Sequence, residues 1–156
     1  MQNKISACLW FEKDLPSVIK YYKKIFKNNL KVIYVSPVEQ GPAGPYEFAT
    51  ISIFGKKYDL LAAGPMFKFT EAISLTVYCK DQKEIDYYWN AFTKEGEESV
   101  CGWCKDKYGL SWQITPTMLY KITIAKKSAK RDYALNKMFG MKKIVIRELE
   151  GRVGTR

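Results

Sequence analysis

The 156-residue chain contains no histidine. That absence removes the commonest general base, the commonest transition-metal ligand and every Ser-His or Cys-His nucleophile pair. Cysteine is scarce, with Cys8, Cys79, Cys101 and Cys104 the four present. The start of the chain, Met1-Gln2-Asn3-Lys4, leads into a strand-like segment instead of a signal-peptide apolar core, so these cysteines read as reduced thiols. No apolar run approaches the roughly 20 residues that cross a bilayer. The expectation is a soluble, cytoplasmic protein with no membrane partner. Acids are the minority charge, 16 against 26 Lys and Arg, for a net charge of +10. The lysines are spread along the chain, and the one dense basic stretch, Lys126-Lys127-Ser128-Ala129-Lys130-Arg131, reads as solvated surface in a connection. Nucleic-acid binding is therefore the weakest function class.

What is abundant is apolar and aromatic: 47% hydrophobic residues, with four Trp, eleven Tyr and eight Phe. Such a chain buries a core and is not disordered. Residues 4–11 read as a strand. Asp14 then caps a helix that tolerates Pro16 in its first turn, with Leu15, Val18, Ile19, Tyr22, Ile25 and Phe26 on one face. Strands follow at 30–35, 46–54 and 58–63, the last two forming a hairpin at Gly55-Lys56-Lys57, after a Gly/Pro-rich loop at 36–45. The order then restarts. Residues 72–79 are a strand, Asp81 with Glu84 forms a capping box, and Ile85, Tyr88, Trp89 and Phe92 make a second helical face that stops before Gly96. Strands at 99–105 and 110–115 flank the turn Asp106-Lys107-Tyr108-Gly109.

A step of 66 residues takes Leu9 to Leu75, Ile19 to Ile85, Tyr21 to Tyr87, Tyr22 to Tyr88 and Phe26 to Phe92, and Lys-Asp precedes both helices. This is the mark of a duplicated module. The fold class expected is α+β, with two βαβββ-type modules packed around a curved mixed sheet. The first module covers 1–64 and the second 65–120. A C-terminal extension, 121–156, is helical through 132–139, and all belong to one structural domain.

The segments "KISACLWFEKDLPSVIKYYKKIF", "GPMFKFTEAISLTVYCKDQKEIDYYWNAF" and "CGWCKDKYGLSWQITP" resemble the vicinal oxygen chelate superfamily of glyoxalase, bleomycin-resistance and ring-cleaving dioxygenase proteins. Within it they are similar to the PhnB-like branch often labelled demethylubiquinone methyltransferase. The methyltransferase label fails on the residues, because no Gly-x-Gly stands at a strand-to-helix junction to hold a methyl donor. The resemblance also implies four metal-ligand positions, which fall near Ala7 or Cys8, near Ala62 or Ala63, near Ser74 and on Gln113. One amide and one hydroxyl do not hold a hard divalent cation, so no tightly bound metal and no cofactor are expected.

Cys101 and Cys104 stand three apart on an expected strand, which sends them to opposite faces and makes them core thiols and not a metal or redox pair. Strand alternation places Ser111, Gln113 and Thr115 on one face and Leu110, Trp112 and Ile114 on the other. By the resemblance, the Gln113 face lines a concave cavity together with Ser74, with Trp10, Phe48, Tyr58 and Trp103 as aromatic walls from both modules. Glu71 is the one acid near a cavity strand, a general base or, by a small margin, a structural cap of the connection. The leading expectation is a small-molecule-binding protein that uses no metal. The alternative is a metal-independent enzyme with Glu71 as acid/base and Cys8 as a remote nucleophile. The superfamily resemblance also implies a homodimer.

Overall fold

The computed structural model describes residues 4–150, so the outer ends of the expected first module and C-terminal extension lie outside the described residues. The chain forms two compact units, Met1–Phe69 and Thr70–Arg156. No helix of the described residues is long and apolar enough to cross a membrane.

The first unit runs β1 (Ala7–Phe11), α1 (Leu15–Phe26), a 3-10 turn at Lys27–Asn29, β2 (Leu30–Val35), β3 (Glu39–Gly41), β4 (Gly44–Ile53) and β5 (Lys56–Ala62). Its sheet has the order β1-β5-β4-β2, with β3 added to β4. The β1–β5 pair is parallel and the others antiparallel. Helix α1 starts where the Asp14 carboxylate accepts the Ser17 N–H at 3.1 Å, and Glu47 of β4 accepts the N–H of Leu15 at 3.1 Å. Its apolar stripe, with Leu15, Val18, Tyr22 and Phe26 at 0 to 1% exposure, covers a sheet face made by Leu9, Phe11, Ala49, Ile51, Leu60 and Ala62. The expected strand at 4–11 begins only at Ala7, because its partner Tyr58 opens the parallel register there. The β4–β5 hairpin turns on Phe54-Gly55 and not on Gly55-Lys56-Lys57. Both turn residues have positive φ, 50° and 79°, which is the two-residue turn whose twist matches the strands, and Lys56 already pairs with Ile53. The 36–45 segment, expected as loop, contains β3.

The second unit repeats the plan: β6 (Ser74–Cys79), α2 (Gln82–Thr93), β7 (Glu97–Glu98), β8 (Trp103–Lys105) and β9 (Ser111–Pro116), in the sheet order β6-β9-β8-β7. Here too the first and last strands pair in parallel. Asp81 accepts the Glu84 N–H at 2.9 Å, and the Glu84 carboxylate reaches back to Lys80 N at 2.9 Å, so the capping box closes one residue earlier than the sequence suggests. Ile85, Tyr88, Trp89 and Phe92 are buried, and the Phe92 ring stacks on Trp112 at 4.4 Å and 18°. The two caps, Asp14 and Asp81, lie one residue off the 66-residue step.

The expected strand at 99–105 is instead two short strands around a tight turn at Cys101-Gly102, where φ is 57° and 81°. That turn ties down the extension: the N–H groups of Cys101 and Gly102 donate to Met141 O and Lys142 O, both at 2.7 Å. The extension itself is three helices: α3 (Thr117–Ile124), which continues directly from β9, α4 (Ala129–Phe139) and α5 (Ile146–Leu149). Ser128 caps α4 through the Arg131 N–H, which starts the expected 132–139 helix a turn early. Gln82 of α2 clasps the far end, donating to Ile144 O at 3.1 Å and accepting from Ile146 N at 2.9 Å.

Candidate functional site

The site is built by the turn between β8 and β9. Asp106 is only 2% exposed. Its carboxylate accepts the N–H groups of Tyr108 at 2.9 Å and Leu110 at 3.2 Å, and the indole N–H of Trp112 at 2.9 Å. One buried acid thus sets the first residues of β9 and the orientation of Trp112. With Trp112 and Ile114 turned into the core at 3% and 0% exposure, alternation turns Gln113 and Thr115 to the opposite face. In the register, Gln113 stands between Thr76 of β6 and Trp103 of β8. Its amide nitrogen donates to Ser74 Oγ at 2.8 Å. Among the described residues its carbonyl oxygen accepts no hydrogen bond.

Over this face lies a cavity of about 380 Å³. Thr76, Trp103, Gln113 and Thr115 line its floor, and Tyr120 of α3 with Met138 and Phe139 of α4 form its other wall. No charged side chain lines it. Polar groups on the floor are amide and hydroxyl, and the wall is aromatic and thioether. Such a surface orients a neutral molecule through one or two hydrogen bonds and holds it by apolar contact.

The walls expected from both modules are not what this cavity has, since all its lining residues come from the second unit and its helices. Ser74 and Trp103 sit beside Gln113 as described. Trp10 and Phe48 occupy one row of the first sheet, each opposite Leu61. The Trp10 indole donates to Gly64 O at 2.9 Å and its ring meets Phe67 edge-on at 4.9 Å. Tyr58 lies on the other side of that sheet, in the core row with Leu60 and Ala62, where burial raises its phenol pKa. It is a core residue and not a cavity wall, because two-residue alternation along β5 puts Tyr58, Leu60 and Ala62 on the buried side.

Glu71 is 64% exposed and pairs with Lys105 Nζ at 2.6 Å. The hydrogen bond from Lys105, then that from its own backbone N–H, holds its carboxyl below the usual range. A general base at neutral pH needs burial and an upward shift, so its geometry is that of a surface ion pair. Cys101 is in a left-handed turn and lines the cavity, and so is not the core thiol that a continuous strand implied. Cys104 is in the core, and burial pushes its thiol up to about 12. Cys8 is exposed, its thiol pKa raised by the burial it does have and by Asp59.

The four metal positions carry no ligand set. Gln113 and Ser74 are bonded to each other, Ala7, Ala62 and Ala63 offer methyl groups, and Cys8 is a single thiol. Among the described residues no three Cys, Asp or Glu side chains converge. The residues present do not fit a metal. Residue-level reasoning missed Tyr120, Met138 and Phe139. Their helical spacing was there to be read, but only the docking of the extension onto the sheet brings them to Gln113.

Two modules, each a strand and helix followed by strands that return to a parallel partner, define the glyoxalase/bleomycin-resistance fold of the vicinal oxygen chelate superfamily. Similar solved structures agree. The PhnB protein from Bacillus cereus shares 28% identity at a TM-score of 0.64, covering 74% of this chain and 100% of that one. The fosfomycin resistance protein FosX from Listeria monocytogenes shares 14% identity at a TM-score of 0.60, covering 81% of this chain and 99% of that one. A FosX variant from the same organism, complexed with Mn(II) and 1S,2S-dihydroxypropylphosphonic acid, shares 15% at 0.53, covering 72% and 90%. The chain belongs to the family described as 3-demethylubiquinone-9 3-methyltransferase, whose model matches residues 3–115. No curated protein matches it.

Proposed function

We propose that this chain is a small-molecule-binding protein of the PhnB-like branch that works without a metal, and that its ligand is a neutral, flat, largely apolar compound bearing a hydroxyl or carbonyl group. The observation that carries this reading is the uncharged cavity around Gln113, whose amide gives one N–H to Ser74, leaving its second N–H to donate to a carbonyl and its own carbonyl oxygen to accept from a hydroxyl. The indole of Trp103 and the Phe139 ring supply flat contact area. Nothing favours the enzyme reading with Glu71 as acid/base, because that carboxylate is exposed, ion-paired and shifted downward.

Calorimetric titration and thermal shift with 1-naphthol, menadione and the anionic 1-naphthoate test it. A ligand that binds only the native state raises its apparent stability. The neutral compounds are expected to bind and the carboxylate not to, with Gln113→Ala weakening 1-naphthol about three- to tenfold, the worth of one hydrogen bond. Equal binding of naphthoate, or no loss in Gln113→Ala, overturns the proposal.

A further inference from the structure

The positive charge of this chain is not evenly held. Residues 1–116 carry fifteen Lys and Arg against thirteen acids, whereas residues 117–149 carry nine against two. The basic excess therefore belongs to the helical extension, and the family match stops at residue 115. It is concentrated where α3 turns into α4. Lys121, Lys126, Lys127 and Lys130 are all exposed there, with no ion pair among the described residues. Arg131, next in line, is spent on Asp132 at 3.3 Å and the Thr123 carbonyl at 3.4 Å. Set among the four lysines is Ile124, 66% exposed, and every residue from 123 to 130 is exposed.

We propose that this hairpin tip docks on an anionic phospholipid surface, with Ile124 entering the headgroup region and Lys121, Lys126, Lys127 and Lys130 facing the lipid charge. By charge pattern alone the stretch reads as solvated surface; the exposed aliphatic residue enclosed by unpaired lysines is what changes its meaning. Lysine stems lie along the apolar boundary while their ammonium groups stay at phosphate level, and an aliphatic side chain adds apolar burial. A single-stranded nucleic acid fits less well. It needs open aromatic faces for its bases, whereas Ile124 has none, the Tyr120 ring already meets Tyr78 at 5.7 Å, and the Tyr133 ring carries Lys137 at 5.7 Å. The docking residues do not line the Gln113 cavity, so this proposal stands apart from the ligand reading.

Cosedimentation of the full chain with vesicles of phosphatidylcholine, alone or with phosphatidylserine, tests it at about 50 mM and about 500 mM salt. Binding is expected to the serine-containing vesicles alone and to be lost at the higher salt. Each lysine is worth about fivefold near such a surface, so Lys126→Glu with Lys127→Glu should weaken binding about twentyfold or more. Ile124→Ser should weaken it several-fold, with the urea midpoint of both variants unchanged. Binding to neither vesicle, equal binding to both, or an unaffected lysine variant overturns the proposal. Tighter binding to a single-stranded oligonucleotide than to vesicles also overturns it and makes nucleic acid the partner.

Discussion

Replacing Asp106 should be among the most damaging single changes in the second unit, and the loss can be worked out from its three donors. In Asp106→Ala the N–H groups of Tyr108 and Leu110 and the indole N–H of Trp112 lose their acceptor in a place that is 2% exposed. Each buried donor left unpaired costs about 1–3 kcal/mol. Partial entry of water lowers the sum, so the expected loss is about 3–6 kcal/mol, a large part of the 5–15 kcal/mol typical of a folded domain. Asp106→Asn separates the contributions. Its carbonyl oxygen still serves the two backbone groups, but its NH2 now faces the Trp112 N–H, donor against donor, for a loss of about 2 kcal/mol. In a Trp112→Phe background that conflict is gone, and the Asn substitution should cost under about 1 kcal/mol. Urea unfolding followed by far-UV circular dichroism reads all four proteins. An Ala variant within about 1 kcal/mol of the parent, or Asn and Ala variants of equal stability, would refute the assignment of the turn to this carboxylate.

Two glycines with the same backbone twist should respond differently to alanine. Gly102 has φ of 81° and an added Cβ would meet the Ile114 carbonyl oxygen at 2.8 Å, whereas Gly109 has φ of 82° and open space. Gly102→Ala should therefore cost about 3 kcal/mol or more, and Gly109→Ala about 1 to 2 kcal/mol, by urea midpoint. A thiol reagent should titrate Cys8 and Cys101 in the native protein and reach Cys79 and Cys104 only after unfolding, since the latter two are 0% and 1% exposed. Burial raises both inner thiols from 9.0 to about 12. The folded state therefore keeps protons that the unfolded state releases, so stability should hold below pH 9 and fall between 9 and about 12. A flat urea midpoint from pH 9 to 11 would contradict that burial.

Local pattern determined much of this protein before any folding is considered. The 3.6-residue stripes from Leu15 to Phe26 and from Ile85 to Phe92 define two helices, and two-residue alternation sends Trp112 and Gln113 to opposite sides of one strand. The absence of histidine and the alanines near positions 7, 62 and 63 leave the ligand positions implied by the superfamily resemblance without their usual donors by residue identity alone. Tertiary structure decided what depends on distant partners. Cys101 leaves the strand because its N–H is taken by the Met141 carbonyl forty residues on. Asp106 reads in sequence as the first residue of a turn, and it becomes a buried node only once α2 and Phe92 have covered Trp112. The extension has many apolar residues, of which Leu119, Ala134, Met141, Ile144 and Leu149 are the buried ones, and their irregular spacing announces no partner. Their partners are non-local, so periodicity says that these helices form but not which surface they cover. Helices α3 and α4 border the Gln113 face of the second sheet, which creates the cavity and leaves the lysines of the hairpin tip exposed, whereas residues 144–146 are held by Gln82 of α2.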